Sequence, residues 1–182
     1  TAMADRKDAL VAAAGFINKV PEIVKEYGNE FTVATVGTIK VTPHSVNVIP
    51  GTCTFSLEIR DQSAEVMKLI ENHLRQLLED ICEKYGVTAT FVPTSYHDPA
   101  PMSELVRGTI EEAVKELGID YTVIPSGAFH DSLIMTSVFP TGMIFVPSKD
   151  GISHSRYEYT APEDIENGCN VLLNTVLKLD EK

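Results

Sequence analysis

The nine residues TCTFSLEIR, 52–60, alternate without a break. Cys53, Phe55, Leu57 and Ile59 fall on one side, and Thr52, Thr54, Ser56, Glu58 and Arg60 on the other. A period of two fits an extended strand with one face covered and the other in water. Slipping by one residue would turn all four apolar side chains outward, so the stretch fixes its own register. Any fold of this chain must give that strand a sheet neighbour and an apolar layer on one side.

The flanking segments supply both. Residues 5–27 read as a helix, with Ala9, Ala13, Ile17, Val20 and Val24 at helical spacing, a kink expected at Pro21 and Gly28 as a stop. FTVATVGTIKV, 31–41, reads as a strand with a bulge at Gly37. Residues 63–85 read as a second helix with Val66, Ile70, Leu74, Leu77 and Ile81 facing the core, ended by Gly86. VTATFV, 87–92, reads as a third strand. The order α-β-β-α-β is the ferredoxin-like, split βαβ plan without its leading strand. That gap predicts a piece of a longer polypeptide, as does a first residue, Thr1, that is not Met.

PTSYHDPAP, 93–101, is proline-rich and polar and makes a boundary. After it come a helix over 103–117, a short strand YTVI at 121–124, a helical stretch over 130–138 and an unbroken apolar strand TGMIFV at 141–146. Lack of alternation in that strand suits a parallel sheet covered on both faces. Thr160 and Glu163 fit a capping box before a last helix, with Ile165, Cys169, Leu172, Val176 and Leu179 expected inward. This part reads as a piece of a doubly wound α/β layer. The expected domains are therefore 1–98 and 99–182.

Fifteen Lys and Arg against 26 Asp and Glu give a net charge of −11, which argues against nucleic acid or anionic membrane as partners. No apolar run approaches the roughly 18–20 residues of a membrane span, and no leader pattern is present. The three cysteines, Cys53, Cys82 and Cys169, form no CxxC pattern and read as small buried thiols in a reducing cytoplasm.

Four residues stand out for chemistry. His154 lies in the loop PSKDGISHS, past the carboxyl end of the 141–146 strand, where open α/β sheets bind ligands. It reads as a metal ligand, as a general base, or as a loop histidine bonded to a neighbour. In SGAFHDS, 126–132, His130 and Asp131 read as a working pair, or Asp131 reads as a helix cap. Arg60 can grip a carboxylate with two donors, and Asn47, thirteen residues earlier, can offer a donor and an acceptor to an amide or urea. The plainer alternatives are a solvated strand residue and a turn residue. His44, His73 and His97 read as surface or structural. No GxSxG, Walker or GxGxxG motif occurs, and one histidine cannot build a zinc site of three or four ligands.

MADRKDAL at 3–10, VATVGTIKV at 33–41, VNVIPG at 46–51, FSLEIRD at 55–61, SGAFHD at 126–131 and PTGMIFVPSKDGISHS at 140–155 together resemble the hydantoinase/carbamoylase-type amidases. These belong to the aminoacylase-like clan of metallohydrolases and include N-carbamoyl-L-amino-acid hydrolases, allantoate amidohydrolases and β-ureidopropionases. The resemblance is to their carboxyl-terminal part, somewhat under half. It implies a ferredoxin-like lid and dimerisation domain over 1–98 and the closing portion of a doubly wound catalytic domain over 99–182. It also implies two divalent metal ions, zinc or manganese, with His154 as the last ligand. Asn47 and Arg60 become lid residues that bind substrate, Arg60 through a carboxylate, and His130 a further substrate contact. The resemblance further implies a homodimer formed through the lid, whose residues would reach the partner's site. The other metal ligands and the catalytic carboxylate would lie upstream, leaving this chain inactive alone. A same-clan aminoacylase or peptidase, and a dimerisation module without chemistry, are the competing readings. The sequence departs from the family pattern at Ala2, Phe129, Arg156 and Tyr157.

Overall fold

The structure is a computed structural model that describes residues 1–181. The chain divides into two compact units, Thr1–Pro99 and Ala100–Lys182.

In the first unit a 3-10 turn, Met3–Asp5, precedes helix α1, Ala9–Tyr27. The helix starts later than its periodicity predicts because Asp8 caps it, its carboxylate accepting from the N–H groups of Leu10 and Val11. It then runs through Pro21. Strands β1, Val33–Thr35, and β2, Ile39–Thr42, pair antiparallel with β4, Glu58–Arg60, and β3, Thr52–Phe55, respectively. Helix α2, Ala64–Tyr85, is capped by Ser63 and ends on Gly86 at φ 62°, a left-handed turn that glycine takes without a Cβ clash.

The two strand pairs form one ribbon interrupted by the bulge expected at Gly37. Three residues, 36–38, stand opposite two, Ser56 and Leu57. The extra residue reverses which parity faces inward. Thr32, Ala34 and Val36 are covered before it, and Val41 after it. The opposite strand keeps its alternation throughout, with 53, 55, 57 and 59 covered. Phe55, Leu57 and Ile59 pack on a core of Phe16, Val20, Ile70 and Leu74, so both helices back one face of the ribbon. The α2 face matches its predicted residues. In α1, Ala12 and Phe16 are buried where Ile17 and Val24 are only half-covered.

Residues 87–92 form no ladder. An edge strand needs a paired neighbour, and strand composition alone does not supply one. The segment is held instead by side chains: the Arg75 guanidinium lies 3.8 Å from the Phe91 ring centroid.

The second unit has helices α3, Glu104–Leu117, α4, Asp131–Met135, and α5, Pro162–Asp180. Helices α3 and α5 pack together and share an ion pair, Lys178 Nζ to Glu116 Oε1 at 2.6 Å. Residues 121–124 and 141–146 are not paired as strands, contrary to expectation. Segment 141–146 is instead seated between helices by close approach. A Cβ on Gly142 would stand 2.7 Å from Val106 Cγ1 of α3, and one on Gly168 of α5 would stand 2.6 Å from Val146 Cγ1.

That approach decides the face of α5. Val171 and Thr175 are buried, whereas Ile165, Cys169, Leu172 and Val176 of the predicted stripe are exposed and only Leu179 of it is half-covered. Small residues turn inward because they let the helix come close. The capping box is also absent: Ala161 is the N-cap, makes no side-chain cap, and is followed by Pro162 at the first turn. The expected 130–138 helix shrinks to α4. No helix among the described residues is long and apolar enough to cross a membrane.

Candidate functional site

Arg60 closes the alternating strand, its backbone opposite Val33. Its Nη2 donates to Glu58 Oε1 at 2.9 Å. Residues two apart on a strand share a face, so this pair is local to the polar side of the ribbon. The strand end is fastened by Asp61. Its Oδ1 accepts from the Ser63 N–H at 2.8 Å, and its Oδ2 from the buried Thr32 hydroxyl.

Asn47 lies in the exposed loop between β2 and β3, where its Oδ1 accepts from Ser45 Oγ at 3.0 Å. That loop and Arg60 stand at opposite ends of the ribbon. Thr52 to Arg60 spans about 25 Å at a rise of about 3.3 Å per residue. The thirteen-residue spacing therefore does not make a single site of Asn47 and Arg60 in one copy of the chain.

His130 is the N-cap residue of α4, extended at φ −128° and half-buried. Its Nε2 lies 2.9 Å from Ser126 Oγ, and its ring meets Phe145 edge-on at 5.5 Å. Asp131 is the first helical residue, not the cap, so the capping reading fails.

His154 sits at φ 55°, left-handed without being glycine. The turn leading to it is left-handed at Asp150 and Gly151 as well. The His154 N–H donates to Glu158 Oε2 at 2.8 Å, and Nδ1 lies 3.2 Å from Ser153 Oγ. The loop base is closed by Lys149 N–H to the Tyr159 carbonyl at 2.8 Å and by the Ser148 hydroxyl to the Ile152 carbonyl at 2.5 Å. The imidazole is exposed. Arg156 and Tyr157 bond each other, Nη2 to the phenol oxygen at 2.5 Å.

Among the described residues no three His, Cys, Asp or Glu side chains cluster closely enough to hold a metal ion. His154 offers one donor, and Glu158 Oε2, four residues on, already accepts the His154 backbone N–H. The described residues of one copy therefore do not by themselves make a metal centre.

Spacing did not single out Ser126, Glu158 or Asp61, the residues that hold His130, His154 and the Arg60 end. The first two lie four residues from their histidines, and Asp61 ends the FSLEIRD stretch. Those separations are visible, but the turns that close them are not.

The fold matches part of the fold of solved amidases. A solved structure from Burkholderia vietnamiensis, named as an amidase of the hydantoinase/carbamoylase family, matches with a TM-score of 0.90 at 34% identity, covering 98% of this chain and 43% of that one. The chain belongs to Peptidase family M20/M25/M40, which it matches over residues 4–178. It is 38% identical over 179 residues to an N-carbamoyl-L-amino acid amidohydrolase of Geobacillus stearothermophilus. It is 34% identical over 179 residues to an allantoate amidohydrolase of Bacillus subtilis. Each of those two matches covers 98% of this chain and 43% of the relative. The chain thus spans under half the length of the curated relatives it matches.

Proposed function

We propose that this chain is the carboxyl-terminal part of a metal-dependent amidohydrolase that cleaves the carbamoyl (ureido) C–N bond of N-carbamoyl-L-amino acids or allantoate. The observation that carries the reading is His154, held left-handed with its N–H on Glu158 and its ring in solvent. Left-handed backbone costs a non-glycine residue about 1–2 kcal/mol. Strain kept at a loop histidine points to a use for the imidazole. The printed names of the relatives supply the bond and the substrate class.

In the intact protein His154 is one ligand of a pair of divalent ions, zinc or manganese, completed by groups outside this sequence. When bound, such ions polarise the scissile group and lower the pKa of water. Arg60 takes the substrate carboxylate in place of Glu58, and Asn47 and His130 contact the ureido group. Hydrolysis adds water to the ureido carbon and breaks its bond to the amino nitrogen, which takes a proton. The carbamate released divides into ammonia and carbon dioxide.

Unit Thr1–Pro99 serves as a ferredoxin-like lid and dimerisation domain, and Ala100–Lys182 as the closing portion of the catalytic domain. The opposite placement of Asn47 and Arg60 supports a homodimer, because serving one ligand with both takes two copies of the ribbon. We place the protein in the cytoplasm as part of the same proposal, a reading supported by three cysteines that form no CxxC pattern. A peptidase or aminoacylase remains the second reading, favoured by the family's description.

The test is ammonia release from N-carbamoyl amino acids and allantoate, against dipeptide cleavage, in the polypeptide extended to the relatives' length. Arg60→Ala should raise KM for carboxylate substrates about 30-fold or more, the loss expected when a charge-paired contact is truncated. His154→Ala should lower the bound metal per chain. Dipeptide cleavage without ammonia release would replace the amidase reading by the peptidase one.

A further inference from the structure

The Ser126 hydroxyl is tied at two points. Its oxygen accepts from the Ala128 N–H at 3.3 Å and lies 2.9 Å from His130 Nε2. A serine has one proton to donate and two lone pairs to accept with. The backbone N–H of Ala128 uses one lone pair. The described structure gives the Ser126 proton one acceptor within reach, the imidazole nitrogen. Donation there gives the hydroxyl proton a partner within the protein, whereas accepting from Nε2–H would leave that proton to solvent at this half-buried position.

We infer that Ser126 is a positioning residue that fixes His130 as the Nδ1–H tautomer, so that the ring presents a directional donor to a carbonyl or carboxylate oxygen. The edge contact with Phe145, at 5.5 Å and 62°, limits ring rotation that would exchange the two nitrogens. An N–H fixed in this way selects an acceptor on the ligand and disfavours a cationic group. Its use by a ureido substrate rests on the amidohydrolase reading, but the tautomer itself does not.

Nitrogen-15 spectra of the His130 ring in the 182-residue chain test it directly. The Nδ1–H form should exceed the Nε2–H form about fivefold or more, the factor that one neutral hydrogen bond is worth. Ser126→Ala should reduce that ratio by about the same factor. Ser126→Thr, which keeps the hydroxyl, should restore it. The thermal midpoint of each variant shows that the unit remains folded. A dominant Nε2–H form in the unaltered chain overturns the inference, as does an unchanged ratio in Ser126→Ala. If the ratio behaves as stated while the extended polypeptide releases no ammonia, the substrate reading fails and the role of Ser126 stands.

Discussion

The Thr32 hydroxyl donates to Asp61 Oδ2, joining the residue before β1 to the residue after β4. The same hydroxyl oxygen accepts from the Asn29 N–H at 2.8 Å. One buried side chain thus ties the α1–β1 turn to the strand end that carries Arg60. Thr32→Val keeps the shape and removes both bonds, leaving two polar groups unpaired at a cost of about 1–3 kcal/mol. Urea unfolding should show that loss, and Thr32→Ser, which keeps the hydroxyl, should lose less. Equal losses in the two variants would mean that the two hydroxyl bonds are not what sets the stability at this position.

Two glycines of the second unit should respond to alanine with opposite sign. A Cβ at Gly142 stands 2.7 Å from Val106 Cγ1 and 3.2 Å from Ile110 Cδ1, so Gly142→Ala overpacks the contact between 141–146 and α3, costing about 1–3 kcal/mol. A Cβ at Gly108, inside α3, meets nothing within 4 Å. Gly108→Ala should therefore stabilise by about 0.5–1 kcal/mol through helix propensity. Thermal midpoints moving in the same direction would show that this packing is misplaced.

These glycines mark what sequence periodicity does not reveal. In α2 the 3.6-residue pattern and the core face coincide, because Ile70 and Leu74 meet the ribbon through ordinary side-chain layers. The bulge was readable too, since Gly37 interrupts a β-branched run and the partner strand alternates. Hydrophobicity misled in α5. There the inward face is set by how closely Gly168 lets the helix approach Val146, and the larger Ile165, Leu172 and Val176 stay outside. Segments 87–92, 121–124 and 141–146 have strand composition, but ladders depend on neighbours that local sequence does not specify. At the candidate site the histidines and Arg60 were visible as residue types. Their holders were not, because Ser126 and Glu158 come into reach only through loop dihedrals.

Acid should loosen the first unit through Glu71. The Lys68 ammonium hydrogen-bonded to it lowers its pKa below 4.5, with Arg75 adding to the effect and partial burial opposing it. A carboxylate depressed in the folded state contributes stability that is full above its unfolded value and is lost as pH falls through the folded value. Glu65 works in the same direction, through its hydrogen bond from Ser63. Stability should therefore fall as pH drops below about 4.5, and Glu71→Gln should flatten that fall. Protonated Glu71 also gives up its hold on Arg75, which stacks on Phe91, so amides near Phe91 should exchange faster in acid. An acid limb of the same slope in Glu71→Gln would remove this residue as its source.

His154→Gly should make the chain more stable. Histidine at φ 55° bears a Cβ clash of about 1–2 kcal/mol that glycine does not have. Glycine's greater freedom in the unfolded chain returns up to about 1 kcal/mol of that difference. The net gain should be about 0.5–1 kcal/mol in the unfolding free energy. His154→Ala separates the backbone from the ring, because alanine keeps the Cβ and loses the imidazole. It should give no gain, and an equal gain in both variants would mean that the ring, not the backbone, is the source of the cost. The same two substitutions both remove the proposed metal ligand, so glycine should give a chain that is firmer but no better at binding metal than the alanine variant. That combination is expected when a fold keeps a strained side chain for its chemistry at the expense of stability.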